Sequence, residues 1–448
     1  MLPSLLLLYG GGFAQSRPAI RVSLADAVRS AVQFNHDLIA ARHEVGRADA
    51  RLREAWGYAM PSIDLTATYT RALKKPVFFF PNIFDTSASA KGQVTAIEIG
   101  SDHSVDLNVS VSQVLFNSAI FTGVGTAKIY SQAAREVYNA KEAETVANAR
   151  KAFYAVLLAA EVKEMLRSNL KNAEENLGNV TVLASQGLLS EYDKLRAEVG
   201  VANLRPEVIR AENNHDLALN GLKIAMGLPF DQEVDVAGAL EFTAVDSGIL
   251  KGATQSVLES NHSLNALRHQ LDVNEAIATV ERSNYLPSLA AFGNYQLQTQ
   301  KNDLRISTQD FIRSSVVGLS LSMNIFNGFR TAGRVEQAEL DARKTDEQIA
   351  GTEISLKTAV QSTIMSLGRA RERINAQQRT VDQAEKGYRI ATARFTSGSG
   401  TQLEVNDAQL ALTTAKTNRM QAIYDYLVAS AELDQLLGHV PEYVKTQE

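Results

Sequence analysis

The chain has 448 residues, of which 45% are hydrophobic and 21% charged, with a formal net charge of −5 and no cysteine. Balanced charge and a normal hydrophobic fraction exclude a disordered acidic protein and argue against a nucleic-acid partner, although the length alone would suit two or three ordinary domains. The absence of cysteine excludes disulfide scaffolds, thiolate metal sites, cysteine nucleophiles and a lipid-modified N-terminal cysteine.

The N-terminal segment 1–14 ends like a signal peptide but does not start like one. Residues 5–9 are apolar and lead to Gly12-Phe13-Ala14, which resembles a small-residue cleavage site. No Lys or Arg precedes Arg17, so the usual charged start is missing. We expect a signal peptide over 1–14 and an exported mature chain; the alternative is a disordered apolar leader.

The chain contains two copies of one unit. The pairs that match, at offsets of 226 and then of 210 or 211, are Asn35-His36-Asp37-Leu38 with Asn261-His262-Ser263-Leu264, Pro61-Ser62 with Pro287-Ser288, Phe116-Asn117 with Phe326-Asn327, Gly187 with Gly398, and Gly227 with Gly438. A period of this length is too long for a solenoid of short repeats, so we infer an old duplication. The first repeat covers 15–249 and the second covers 250–448.

Both repeats show the same order of predicted elements. In the first, helices are predicted near 24–58, 119–186 and 190–227, and strands near 62–73 and 105–115. In the second, helices are predicted near 250–284, 329–397 and 401–437, and strands near 287–299 and 314–325. The longest helices lack Pro and carry apolar residues at heptad spacing in places, which predicts coiled-coil packing. Each turns at a glycine-bearing tip, so we expect an extended helical hairpin and not a globule.

The predicted strands alternate between apolar and polar residues. Val105, Leu107, Val109 and Val111, for example, alternate with Asp106, Asn108 and Ser110. This pattern suits lipid on one face and water on the other, and the alternative is a soluble sheet with one face on a core. Four strands are too few to close a barrel, and open edges cannot lie in lipid. The membrane interpretation therefore requires a symmetric oligomer, and a cyclic trimer would give a twelve-stranded barrel.

The ordered set of motifs, present twice, resembles the TolC-like outer-membrane efflux proteins. These motifs are the Asn-x-x-Leu start, the Pro-Ser entry to the first strand, the Phe-Asn end of the second strand, and the glycine-bearing tip. The resemblance implies a mainly helical fold with a small transmembrane β part: a trimeric twelve-stranded β-barrel in the outer membrane that continues into a periplasmic α-helical barrel. It also implies a passive duct that works with a periplasmic adaptor protein and an inner-membrane transporter in efflux or type I secretion, with no cofactor.

In that family, acidic side chains near the periplasmic tip close the lumen. The resemblance places Glu404 and Asp407 on the two acidic positions, and their i, i+3 spacing puts both on one helical face. Threefold symmetry would turn each into a ring of carboxylates that attracts cations. The alternative is an ordinary solvated helix face.

The tips also depart from the family pattern. Gly400 stands where the family has an Arg that ties neighbouring helices together, and Phe395 lacks the hydroxyl of the usual aromatic partner. Asp193 keeps the matching carboxylate. We therefore expect a tip that opens more easily or that is held by other contacts. The resemblance also implies adaptor docking at the tips, at Gly187 and Leu188 in the first repeat and at Gly398 in the second.

The other sequence patterns give less information about function. The pairs His36/His43 and His262/His269 have i, i+7 spacing, whereas a helical metal pair needs i, i+4, so we expect no metal site. No phosphate-binding loop or nucleophile elbow occurs, and we expect no enzyme activity. The aromatic run Phe78–Phe80, with Phe84, could narrow the channel mouth, touch lipid headgroups, or pack on itself or a neighbouring subunit. The rival function is a non-conducting coiled-coil or adhesin protein anchored in the outer membrane.

Overall fold

The computed structural model describes residues 20–81 and 94–442. The predicted signal peptide over 1–14 and Phe84 lie outside the described residues. The chain is mainly helical. Among the described helices, none carries a stretch long and apolar enough to cross a bilayer.

The helices, in chain order, are α1 Leu24–Phe34, α2 His36–Gly57, α3 Ser118–Ser185, α4 Glu191–Met226, α5 Ser247–Ser260, α6 His262–Ser283, α7 Arg330–Thr396 and α8 Gln402–Leu436. The strands are β1 Ile20–Val22, β2 Ser62–Arg71, β3 Val77–Pro81, β4 Val94–Glu98, β5 His103–Phe116, β6 Val234–Val236, β7 Ser288–Lys301 and β8 Ile312–Ser322. The parallel pair β1–β6 was not predicted, because three-residue strands are too short to show periodicity.

The structure forms two compact units that cut across the two repeats. Of the described residues, unit 1 takes those up to Gly46, then Ala133–Arg268, then those from Glu347 to Glu442. Unit 2 takes Arg47–Gln132 and His269–Asp346. Each unit therefore contains segments from both repeats.

The single helices predicted over 24–58 and 250–284 are each two helices, which is a correction to the sequence prediction. The break falls at Asn35 in one repeat and at Asn261 in the other, and both have extended backbone angles. The Asn35 Oδ1 accepts from the backbone N–H of Leu38 at 3.2 Å, and the Asn261 Oδ1 accepts from Leu264 at 3.0 Å. Each asparagine thus ends one helix and caps the next.

The same two asparagines fasten the ends of α4 and α8 in unit 1. Asn35 Nδ2 donates to the carbonyl of Ala225 at 3.2 Å, and Asn261 Nδ2 donates to the carbonyl of Leu436 at 2.9 Å. Two residues after each acceptor comes a glycine with positive φ, Gly227 at +71° and Gly438 at +66°. We call each such asparagine and glycine pair an Asn–Gly clasp.

Neither clasp has room for a side chain at its glycine. A Cβ on Gly227 would lie 2.1 Å from the Phe34 carbonyl oxygen, and one on Gly438 would lie 2.7 Å from the Ser260 oxygen. The backbones approach so closely that only glycine fits, on steric grounds and because of its left-handed conformation.

The core of unit 1 is built from both repeats. Its buried members include Val22, Phe153, Leu157 and Leu222 from the first repeat, and Val257, Val360, Leu367, Tyr426, Leu433 and Leu437 from the second. The buried Tyr426 hydroxyl accepts from the backbone N–H of Val245 at 2.8 Å, so this polar group is satisfied. Because each repeat supplies only part of the core, neither can bury it alone.

Unit 2 contains a four-stranded antiparallel sheet in the order β2-β5-β7-β8. The register places Asp64, Thr66 and Thr68 of β2 on the same face as Asp106, Asn108 and Ser110 of β5 and Asn294, Gln296 and Gln298 of β7. Ile63 and Leu65 of β2, Val109 and Val111 of β5, and Val317 and Leu319 of β8 lie on the other face. The sheet therefore has one polar and one apolar face.

The aromatic run Phe78–Phe80, which the sequence assigned to no predicted element, forms part of a strand. It belongs to β3, which pairs with β4 in a separate two-stranded ribbon between β2 and β5. β3 and β4 thus lie in the connection between β2 and β5, the two long strands of the first repeat.

Candidate functional site at the helix tips

The first tip is the turn between α3 and α4. Gly187 has φ +74°, and the N–H of Leu188 donates to the Leu183 carbonyl at 2.9 Å, five residues back. This pattern is the usual way to end a helix with a left-handed glycine. Leu188 is 67% exposed and makes the tip apolar at its end.

α4 then begins with a capping box. The Ser190 side chain accepts from the N–H of Asp193 at 3.2 Å, and the Asp193 carboxylate accepts from the Ser190 N–H at 3.2 Å and from its hydroxyl at 2.6 Å. The Asp193 carboxylate therefore provides the hydrogen-bond acceptor for a backbone N–H at the start of its own helix.

The second tip, between α7 and α8, repeats this backbone. Gly398 has φ +75°, and the N–H of Ser399 donates to the Arg394 carbonyl at 2.9 Å. The next helix begins with a second capping box, in which the Glu404 N–H donates to the Thr401 hydroxyl and the Thr401 N–H donates to Glu404, both at 3.3 Å.

Arg394 adds side-chain contacts that have no counterpart among the described contacts of the first tip. Its guanidinium lies 3.6 Å from the Glu404 carboxylate and donates to the Ser399 carbonyl at 3.1 Å. We call these contacts the Arg394 brace. The brace connects the last turn of α7 to the first turn of α8 within one chain.

Gly400 lies inside the brace. A Cβ at this position would lie 2.9 Å from the Arg394 Cβ, 3.0 Å from the Phe395 nitrogen and 3.0 Å from a Glu404 carboxylate oxygen. A side chain at Gly400, including the Arg that the family pattern would place there, would therefore require the turn around Arg394 to shift.

The acidic residues predicted as gate residues have different surroundings. Asp193 and Glu404 both cap their helices, and Glu404 also pairs with Arg394. Asp407 is exposed, and no hydrogen bond or ion pair involves its side chain in the part of the chain that the structure describes. Asp407 is thus the free carboxylate of the second tip. The sequence carried a signal for the caps, Ser/Thr-x-x-Asp/Glu at 190–193 and 401–404, which our prediction missed.

The helix pairs behind the tips are held by ion pairs on their surfaces. Lys416 of α8 binds Glu385 of α7 at 2.9 Å, and this hydrogen bond lowers the pKa of the Glu385 carboxyl below its ordinary value. Arg205 of α4 binds Glu174 of α3 at 3.2 Å. Among the described residues, no group of three or more His, Asp or Glu side chains could hold a metal ion.

Comparisons with known proteins agree with this architecture. The family model described as outer membrane efflux protein matches residues 27–228 and 253–439. The outer membrane protein TolC of Vibrio cholerae is 22% identical over 75% of this chain and 76% of its own length. The alkaline protease secretion protein AprF of Pseudomonas aeruginosa is 21% identical over 75% of this chain and 69% of its own length.

A solved structure shows the same fold. The CmeC outer membrane channel of Campylobacter jejuni superposes with a TM-score of 0.75 at 18% identity, covering 94% of this chain and 88% of that one. Since the family model covers most of both repeats, the chain belongs to the outer membrane efflux protein family.

Proposed function

We propose that three copies of this outer-membrane efflux protein close one twelve-stranded barrel and form a passive exit duct for efflux or secretion. The observation that carries the proposal is the two-faced sheet of unit 2 with its two open edges. In the part of the chain that the structure describes, no strand pairs with the outer edge of β2 or of β8.

The strand directions suit closure by copies of the same chain. The ladders β2–β5, β5–β7 and β7–β8 are all antiparallel, so β2 and β8 run in opposite directions. The β8 edge of one copy can therefore pair with the β2 edge of the next without breaking the alternation. Closure would satisfy the edge N–H and C=O groups, as a lipid environment requires.

The faces of the sheet agree with lipid outside and water inside. Leu65 is 71% exposed, Val317 86% and Leu319 69%, all on the apolar face of the two edge strands. The charged residues on the polar face of the four strands are Asp64 and Asp106. A trimer would line its interior with these carboxylates and would favour cations.

The remaining parts of the proposal follow from the family resemblance. α3, α4, α7 and α8 would form the periplasmic helical tunnel, with the tips at its far end. Asp193, Glu404 and Asp407 would surround the constriction, and Gly187, Leu188 and Gly398 would lie where a periplasmic adaptor docks. An inner-membrane transporter would supply the energy.

Cysteine cross-linking tests the closure directly, because the natural chain has no cysteine. We expect Leu65→Cys on β2, combined in turn with Ser315→Cys, Val317→Cys or Leu319→Cys on β8, to give disulfide-linked dimers and trimers in at least one combination. The control is Val109→Cys with Tyr295→Cys, which pair across β5 and β7 within one chain and should give monomers only.

Conductance separates the duct from a non-conducting anchored stalk. Purified trimers in a planar bilayer should show cation-preferring channels. Edge cross-links without conductance would favour the stalk, and monomers without edge cross-links would refute both the barrel and the duct.

A further inference from the structure

The two-stranded ribbon formed by β3 and β4, here called the apolar ribbon, exposes hydrophobic side chains on both of its faces. Phe79 is 71% exposed, Val94 60% and Phe78 51%. Phe78 lies opposite Ile97, and Phe79 lies opposite Ala96 on the other face. A two-stranded ribbon is marginally stable in water, and an exposed apolar surface of this kind marks an interaction site.

The base of the ribbon is fixed to one end of the sheet. Lys75 forms an ion pair with Asp102 at 3.1 Å and donates to Asn302 Oδ1 at 3.0 Å. The same Asn302 oxygen accepts from the Asp102 N–H at 3.1 Å. These contacts tie the segment after β2 to the segments before β5 and after β7, so the ribbon starts at the sheet end opposite the entries into α3 and α7.

The apolar face of the sheet carries basic residues at this same end. The charged side chains on that face of the strands are Arg71 at the end of β2, Lys301 at the end of β7 and Arg313 near the start of β8. Lys301 is paired with Asp310 at 2.6 Å. Arg71 and Arg313, like Lys74 at the ribbon base, are exposed and take part in no ion pair within the described residues.

Apolar surface followed by unpaired cations is the order of groups met on crossing from acyl chains to phosphate headgroups. The polar face shows the opposite sign, with Asp64 and Asp106. Within the four strands of the sheet, the basic residues are therefore confined to the face that the barrel would turn towards lipid, and Lys74 lies just beyond the end of β2.

We propose that the apolar ribbon lies in the outer leaflet, at the boundary between headgroups and acyl chains, and that Arg71, Lys74 and Arg313 bind the phosphate groups of the surrounding lipids. The inference rests on the barrel proposed above. The ribbon then anchors the mouth of the duct in the membrane surface. The alternatives are a ribbon that narrows the channel mouth and a ribbon that packs on a neighbouring copy, and an experiment can separate the three.

Tryptophan fluorescence tests the location of the ribbon. The single native Trp56 is first replaced, Trp56→Phe, and Phe79→Trp is introduced into full-length protein reconstituted in vesicles. We expect blue-shifted emission that brominated lipids quench and aqueous iodide does not. Quenching by iodide alone would place the ribbon in the water-filled mouth, and quenching by neither would place it against another copy; both results overturn the proposal.

A second probe separates failure of this inference from failure of the barrel. Leu65→Trp reports the apolar face of β2, and Thr66→Trp reports the polar face next to it. Lipid quenching at position 65 but not at 79 would reject the ribbon's location and keep the barrel. Absence of lipid quenching at both 65 and 79 would reject both.

The charge component has its own test. In vesicles of mixed anionic and zwitterionic lipid, brominated anionic lipid should quench the Phe79→Trp protein more than brominated zwitterionic lipid does. Arg71→Gln with Lys74→Gln should lower this preference by about fivefold per residue, whereas the exposed pair Arg371→Gln with Lys386→Gln on α7 should leave it unchanged. An unchanged preference in the first double variant would overturn the phosphate assignment.

Discussion

Two structural features occur in both repeats, the Asn–Gly clasp and the helix tip. The clasp uses the same side chains in both repeats, whereas the tip uses different ones. The Asn–Gly clasps at Asn35/Gly227 and Asn261/Gly438 use the same atoms and nearly the same distances. The tips share a left-handed glycine and a capping box, yet Arg394 braces only the second among the described contacts. A glycine is kept in both repeats where the backbones approach too closely for a side chain. Side-chain contacts at a solvent-exposed tip are under no such constraint and differ between the repeats.

The largest effect is expected at the clasp glycines. Gly227→Ala should lower the free energy of unfolding of unit 1 by about 3 kcal/mol or more, because overpacking against the Phe34 carbonyl adds to left-handed strain. Gly438→Ala should cost less, since the contact is longer. Urea unfolding followed by helical circular dichroism measures both.

Gly221→Ala is the matched control for the clasp. Gly221 lies within α4, whose C-terminal cap is Gly227, and has open space around it, so alanine should stabilise the helix by about 1 kcal/mol. Equal effects at positions 221 and 227 would show that the close approach at Gly227 is not what selects glycine.

The clasp asparagines should show a smaller, graded effect. Asn261 is 6% exposed and Asn35 is partly exposed. Asn261→Ala should cost about 2 kcal/mol and Asn35→Ala about 1, because each loses a cap and leaves a carbonyl without its donor. The exposed Asn172→Ala in α3 serves as the control and should be neutral or slightly stabilising. A cost at Asn35 equal to that at Asn261 would mean that burial does not set the difference.

The two acidic residues of the second tip should differ in their effect on ion preference, a prediction that rests on the proposed trimer. Asp407→Asn should reduce the cation preference of the channel by about fivefold, since three charges roughly 10 Å from an ion contribute roughly 1 kcal/mol in water before salt screening. Glu404→Gln should change it less, because Arg394 already neutralises that carboxylate. Reversal potentials in a salt gradient measure the preference.

Arg394→Gln tests whether pairing with Arg394 is what separates Glu404 from Asp407. It would release the Glu404 carboxylate and should raise cation preference. If Glu404→Gln reduced cation preference as much as Asp407→Asn, the Arg394 brace would have no electrostatic role.

Much of the architecture was predictable because it follows from repetition and periodicity. The paired motifs indicated the duplication, and the family resemblance is confirmed by the family model. The alternation in β5 predicted a strand, and the glycines at 187 and 398 marked the tips. These signals are local, so a single sequence displays them.

What the sequence did not show depends on contacts between distant residues. The helix breaks at Asn35 and Asn261 were missed because an extended residue between two amphipathic helices leaves their periodicity almost intact. The asparagine motif was recognised as a repeat marker, but its partners, Ala225 and Leu436, are more than 170 residues away. The capping role of Glu404 has a local signal, the Thr-x-x-Glu spacing from Thr401, but an acidic residue there fits a solvated helix face equally well, so its charge alone does not identify the cap.

The shared core of unit 1 has a consequence for the order of folding. Val22 and Leu437 belong to one buried cluster, and β1 pairs with β6 across more than 200 residues. A chain that is made from its N-terminus cannot complete this cluster until the end of α8 has followed. Contacts of such long sequence separation form slowly, and the first repeat waits with apolar surface exposed. Until its last helix is present, the incomplete chain is therefore open to aggregation.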